Sequence, residues 1–325
     1  MRRKLLVILV LIAIAVIVAY ATSSGKFDWA LFGKTLKDMN WLWLIASVVL
    51  TYVTYLIRAA RWQVLLEPLK KIGLETSMTA TLVGFSAIYL LGRAGEPFGA
   101  LWLTRREHIP FSASGATWVV QRFLDLSMLG IIFGVTLIFL ELPAAEGRRQ
   151  LGFMRNFATV LIIALVAGMI AMVTFRSNID RIVALVPFKR VAAFLHGIAQ
   201  GLAFLHERRS VMMTFFHSSL LWIVITLQFW FMILALNLNF SLLAATLVMV
   251  AAAIGSVVSI PGVGGGFQVA MVFCLVTFFG VTTERSVVAA LVAYALSYLP
   301  TLGIAAIYMM LTGLSLKDLR GLETT

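Results

Sequence analysis

Charge is scarce in this chain: 12% of its 325 residues are Asp, Glu, Lys or Arg, while 61% are hydrophobic. A water-soluble domain of that length has no core large enough to hide so much apolar surface, so the solvent must be largely lipid. Acids are the scarcer sign, 14 against 26 basic residues. The net charge of +12 does not point to nucleic acid, because Lys and Arg sit in short runs between apolar blocks, as in cytoplasmic loops of membrane proteins. The single cysteine, Cys274, lies in an apolar run, which excludes an intramolecular disulfide and a thiolate metal cluster. His108, His196, His206 and His217 are scattered, without the spacing or carboxylates of a metal site. The glycine run from Gly262 to Gly266 is not followed by Lys-Ser or Lys-Thr and does not fit dinucleotide spacing, so it is no phosphate loop. No grouping of serine, histidine and acid stands out; nothing in the pattern demands an enzyme, and no cofactor is expected.

What is present is a series of long apolar segments. Met1 to Ala21 has a basic start and an Ala19-Tyr20-Ala21 triplet resembling a signal-peptidase site; its length and the spans that follow favour an uncleaved first crossing. Further spans are expected at Trp41 to Ile57, Ser112 to Leu140, Phe157 to Phe175, Val211 to Leu236 and Ser286 to Leu311. The expected fold is an all-α polytopic membrane protein with about six full spans. With the amino terminus inside, Arg58, Arg61, Lys70, Lys71, Arg105, Arg106 and the tail with Lys317 and Arg320 fall on the cytoplasmic side, as does the basic segment Arg176 to Arg209. Both termini are then cytoplasmic, although Arg148, Arg149 and Arg155 run against the rule. Within that basic segment, apolar residues recur at helical spacing, predicting one or two amphipathic interfacial helices broken near Pro187. The organisation is one membrane domain over 1–325: a first half at 1–175, a cytoplasmic linker at 176–210 and a second half at 211–325.

Two segments are interrupted. Met78 to Leu91 is too short to cross; it runs into Gly92-Arg93-Ala94-Gly95-Glu96-Pro97 and a second short stretch to Leu103. A hairpin at about 77–104, entering and leaving on one side, satisfies length and charge. Leu242 to Ile260 leads into Pro261-Gly262-Val263-Gly264-Gly265-Gly266-Phe267-Gln268 and then Val269 to Val281. Here either a re-entrant hairpin at about 241–281 or two complete crossings would serve. Re-entrant hairpins of opposite orientation would make an inverted-topology repeat, with broken helices meeting near the midplane to form a substrate site.

A charged side chain near the bilayer centre costs about 2.5–3.5 kcal/mol on insertion scales and needs a partner or a purpose. Arg93 and Glu96 either clamp each other, or Arg93 offers donors to a phosphate while Glu96 balances charge; Gly92 and Gly95 would let backbone approach closely. Arg122 and Asp125 share a helix face as an ion pair or a substrate contact, with Gln121 extending the polar patch. Arg58, Arg61, Trp62 and Glu67 read best as snorkelling cations and an interfacial tryptophan, the two arginines being secondary candidates for the substrate. Gly262, Gly264, Gly265 and Gln268 complete the candidate set from the second break.

Arg58-Ala59-Ala60-Arg61-Trp62 with Pro68, Gly92-Arg93-Ala94-Gly95-Glu96, Gln121-Arg122-Phe123-Leu124-Asp125-Leu126 and Pro261-Gly262-Val263-Gly264-Gly265-Gly266, in that order over about 5–315, resemble the flippase-like transmembrane family typified by the membrane region of bacterial lysylphosphatidylglycerol synthases. The resemblance implies a multi-pass protein of a bacterial-type cytoplasmic membrane that moves or handles a phospholipid or lipid-linked intermediate, with Arg93, Gly95, Glu96, Arg122 and Asp125 of interest. Gln121 and Gln268 stand where the family often has acids, which weakens a proton-coupled mechanism. A cytoplasmic synthase domain is absent, so lipid aminoacylation is not expected. The reading is a transporter in which an anionic headgroup enters a polar cavity while its acyl chains stay in lipid. A small-molecule transporter, an embedded enzyme with Glu96 or Asp125 as base, and an assembly subunit are the alternatives. A membrane lipid is the expected partner, and a homo-oligomer is compatible with it.

Overall fold

The computed structural model describes residues 28–91, 95–140, 145–260 and 264–312. In a bilayer every backbone polar group must be satisfied within the protein, and this chain does so with helices: α1 (Trp29–Lys37), α2 (Trp41–Leu66), α3 (Leu74–Leu91), α4 (Phe98–Glu107), α5 (Phe111–Phe139), α6 (Ala145–Ser177), α7 (Ile179–Ala184), α8 (Lys189–Gly201), α9 (Arg208–Ala235), α10 (Leu242–Gly255), α11 (Gly266–Phe279) and α12 (Thr283–Thr312). Five helices among the described residues are long and apolar enough to cross a membrane: Trp41–Leu66, Phe111–Phe139, Ala158–Ser177, Arg208–Ala235 and Thr283–Gly303. These match the expected spans; the first, at 1–21, lies outside the described residues, as does the tail with Lys317 and Arg320. The protein is a polytopic all-α membrane protein.

The helix starts follow local chemistry. Asn40 caps α2 by accepting from the backbone N–H of Leu42 and Trp43, and Ser241 caps α10 by accepting from Ala244; such side-chain oxygens occupy donors that a helix start leaves unpaired. Between α7 and α8 the chain breaks at 185–188, where Pro187 sits. α8 then lies against the start of α5, drawn in by Gly197 and Gly201, whose absent Cβ atoms would collide with Ser112, Ala113 and Ala116. Leu185, Phe188, Val191 and Phe194 stay exposed beside Lys189 and Arg190, the amphipathic pattern expected of an interfacial helix.

α2 and α9 form the most extensive helix pair. They run antiparallel: Ser47 donates to the Gln228 carbonyl near one end, and Arg61 donates to Ser218 near the other. The end holding Leu66 and Arg208 is rich in Arg and Lys. There the first hairpin, α3 and α4, has its mouth: Gln63 donates to the Ile72 carbonyl and Lys70 pairs with Glu107 at 2.8 Å. The second hairpin, α10 and α11, has its mouth at the opposite end. Phe240 and Phe279 lie 4.7 Å apart there, Asn40 donates its N–H to the Ala235 carbonyl, and Arg285 reaches the carbonyls of Leu236 and Asn237. Each arm of the second hairpin has 14 residues, about 21 Å at helical rise, short of the ~30 Å hydrocarbon core. The arms pack against each other and are joined by a ribbon pairing Ser259 with Gly265 and Ile260 with Gly264. The first hairpin spans more than expected: α3 begins four residues before Met78, and α4 runs on through Arg105 and Arg106 to Glu107.

Apolar packing divides between the hairpins. One cluster, with Trp62, Leu66, Ala80, Leu103 and Leu124, surrounds the first; the other, with Met128, Phe133, Val248, Met271 and Val288, surrounds the second. α5 passes from the first cluster to the second between Leu124 and Met128, and Asp125 lies at that junction.

Candidate functional site

A carboxylate buried among membrane helices is costly unless paired and hydrogen-bonded. Asp125 meets three guanidinium groups. Arg61 Nη1 donates to its Oδ1 at 2.7 Å, while Arg58 Nη1 and Arg122 Nη1 stand 3.4 and 3.6 Å from Oδ2. Helix geometry explains the grouping: Arg58 and Arg61 are three residues apart on α2, Arg122 and Asp125 three apart on α5, so each pair shares a face and the two faces meet. Arg61 also donates to Ser218 on α9, which joins a third helix.

Exposure separates the three arginines. The Arg61 side chain is 0% exposed, Arg58 15% and Arg122 31%. Arg61 is thus an internal cation, and the expectation that it snorkels is corrected: α2 continues to Leu66, which carries Arg61 into the packed bundle instead of leaving it at the rim. Trp62 is corrected with it. It is buried, donates from Nε1 to Thr117 Oγ1 at 3.0 Å, and packs its ring on Gly99. Arg58 and Arg122 instead face a small cavity and flank the ring of Phe85, with guanidinium carbons 4.9 and 5.8 Å from its centroid, within cation–π range. Nε and Nη2 of Arg61 and Nε of Arg122 are buried without a hydrogen-bond partner among the described residues.

The cavity is also lined by Glu96 from the first hairpin and by Gln121, Trp62 and Trp118. Its volume of about 20 Å³ admits roughly one water. Three cations against Asp125 and Glu96 leave one excess positive charge among the described residues here. Two guanidinium forks have the geometry to hold oxygens of a phosphate.

The other candidates fall elsewhere. Gly95 packs at the hairpin tip, where a Cβ would stand 2.1 Å from the Ala87 carbonyl oxygen. Gly265 adopts φ 101°, and its N–H donates to Gln268 Oε1 at 2.7 Å, so this pair shapes the start of α11. Gly264 pairs with Ile260 in the ribbon. The cavity lining does not include these second-hairpin residues. Arg93 and Gly262 lie outside the described residues. Ser218 and Phe85 belong to the site without having been expected: a serine in an apolar span and a phenylalanine in a membrane hairpin carry no signal of their own. Arg61 did carry one, since Ser47, Thr51, Thr54, Arg58 and Arg61 follow a helical period and mark one polar face of α2.

The family model described as lysylphosphatidylglycerol synthase TM region matches residues 5–305. No curated protein and no solved structure matches the chain.

Proposed function

Because the chain belongs to the lysylphosphatidylglycerol synthase transmembrane-region family, we propose that it carries an anionic phospholipid or lipid-linked intermediate across a bacterial cytoplasmic membrane, as a transporter and not an enzyme. The carrying observation is the excess of guanidinium groups around Asp125 in the packed bundle. Arg61 holds Asp125 and fixes the cluster; Arg58 and Arg122, longer in their contacts and facing the cavity, are the groups that bind a phosphate. Glu96 offsets part of the positive charge while the site is empty.

The cavity holds only about one water, so a headgroup is admitted only when the first hairpin moves relative to α2 and α5. Two hairpins opening at opposite ends of the bundle suit that motion: in transporters built from inverted repeats, broken helices gate a central site from alternate sides. The test is transbilayer movement in reconstituted vesicles. The protein is expected to accelerate tail-labelled phosphatidylglycerol well above phosphatidylcholine. The Arg58→Gln/Arg122→Gln variant should lose about tenfold in that rate, the equivalent of roughly 1.4 kcal/mol of binding. No acceleration of any anionic lipid tried would remove the basis of the proposal, and time-dependent appearance of a covalently altered lipid would assign the site to an enzyme.

A further inference from the structure

Beside the arginine cavity, on the far side of Trp118, an apolar groove of about 540 Å³ runs between α5, α6 and α8. Gly115 and Val119 of α5, Ala171 and Met172 of α6, and Phe194 and Ile198 of α8 line it. Its volume is in the range of binding clefts, ~300–1,000 Å³. Two features tie it to the charged site. Trp118 lines both spaces, and the tip of the first hairpin is shared between them, Glu96 facing the cavity and Pro97 the groove. Two other apolar creases, of about 520 Å³ between α11 and α12 and about 460 Å³ on α9, share no lining residue with the arginine cavity.

Resting on the headgroup reading above, we propose that this groove seats one acyl chain of the lipid whose phosphate engages Arg58 and Arg122. An amphiphile has an anionic end and an apolar end joined through a short backbone, and the protein presents a cationic cavity and an apolar groove with one aromatic side chain and one hairpin tip between them. The acyl chain is therefore held by protein and not left in bulk lipid. α8 has a defined part in this: Gly197 and Gly201 seat it against α5, which brings Phe194 and Ile198 into the groove's lining.

The test places the full chain in phosphatidylcholine nanodiscs containing phosphatidylglycerol with a photoactivatable diazirine in one acyl chain, and maps the labelled residues by mass spectrometry. Labelling in the α5, α6 and α8 groove should exceed that in the other two creases by about tenfold, corresponding to about 1.4 kcal/mol of preference. The excess should vanish when the diazirine is carried by phosphatidylcholine and in Arg58→Gln/Arg122→Gln. Gly115→Trp, where a Cβ has only the Phe111 ring within 3.8–4.0 Å, and Ala171→Trp on α6 should each abolish it while thermal unfolding stays unchanged. Even labelling of all three creases, or a groove excess indifferent to headgroup, means ordinary boundary lipid and overturns the inference. Glycerol phosphate separates the two claims. If it raises the thermal stability of wild type and Gly115→Trp but not of the double arginine variant, while groove labelling shows no excess, only the groove is refuted. If it stabilises none of them and wild type binds phosphatidylglycerol no better than phosphatidylcholine, the headgroup site fails and the groove with it.

Discussion

Asp125 is the residue on which the polar cluster turns, since removing its charge would leave three guanidinium groups facing one another inside the bundle. Breaking a buried pair typically costs about 3–5 kcal/mol, so Asp125→Ala is expected to lose stability on that scale in denaturant unfolding. Arg122→Gln should behave differently. Its side chain is 31% exposed and its contact to Asp125 is the longest of the three, so the change in stability is expected to stay within about 1 kcal/mol while anionic lipid binding falls. At this scale the sequence was legible where charge stood alone in an apolar span, as at Arg122 and Asp125. It misled where charge stood near a predicted boundary: Arg61 looked like a rim residue because the span was drawn to end at Ile57, whereas the helix continues to Leu66. Ser218 and Phe85 carry no charge and became visible only when four helices were brought together.

Each hairpin is closed by backbone contact that only glycine permits. In the first, a Cβ at Gly95 would stand 2.1 Å from the Ala87 carbonyl oxygen and one at Gly99 2.5 Å from that of Ala80, yet one at Gly84 would meet Gly99 at an ordinary 3.6 Å. Overpacking of this kind costs about 1–3 kcal/mol. Gly95→Ala and Gly99→Ala should therefore lower the unfolding temperature in detergent, while Gly84→Ala leaves it near wild type; equal loss at all three would refute this close approach at Gly95 and Gly99. In the second hairpin, Gly255 and Gly266 abut reciprocally, and Gln268 accepts the Gly265 N–H. Gln268→Ala should cost about 1 kcal/mol by leaving that donor unpaired. The breaks themselves were readable, because glycine and proline interrupt apolar runs too short to cross. The arm ends were not, since Glu75, Thr76 and Ser77 look like loop until α3 incorporates them, and the short helix α1, with Lys34 and Lys37 in its last turn, lacks a span's hydropathy.

For the molecule as a whole, the opposed hairpins make a directional prediction. A membrane-impermeant maleimide should label Arg105→Cys, at the first mouth, from one side of the membrane and Asn239→Cys, at the second, from the other; labelling of both from the same side would contradict the architecture. The native Cys274 is buried and should contribute little background. The five spans found among the described residues, and the short apolar helices between them, could be read from hydropathy because lipid as solvent leaves few alternatives. The meeting of Arg58 and Arg61 on α2 with Asp125 on α5 could not, because it depends on how α2, α5 and α9 pack rather than on the pattern along any one helix. The most direct test is equilibrium binding of phosphatidylglycerol and phosphatidylcholine to the protein in nanodiscs, with wild type and Arg58→Gln/Arg122→Gln compared. Tighter binding of phosphatidylglycerol by wild type, reduced about tenfold in the variant, is the expected result; equal affinity for the two lipids, or a preference that survives loss of both arginines, would contradict it.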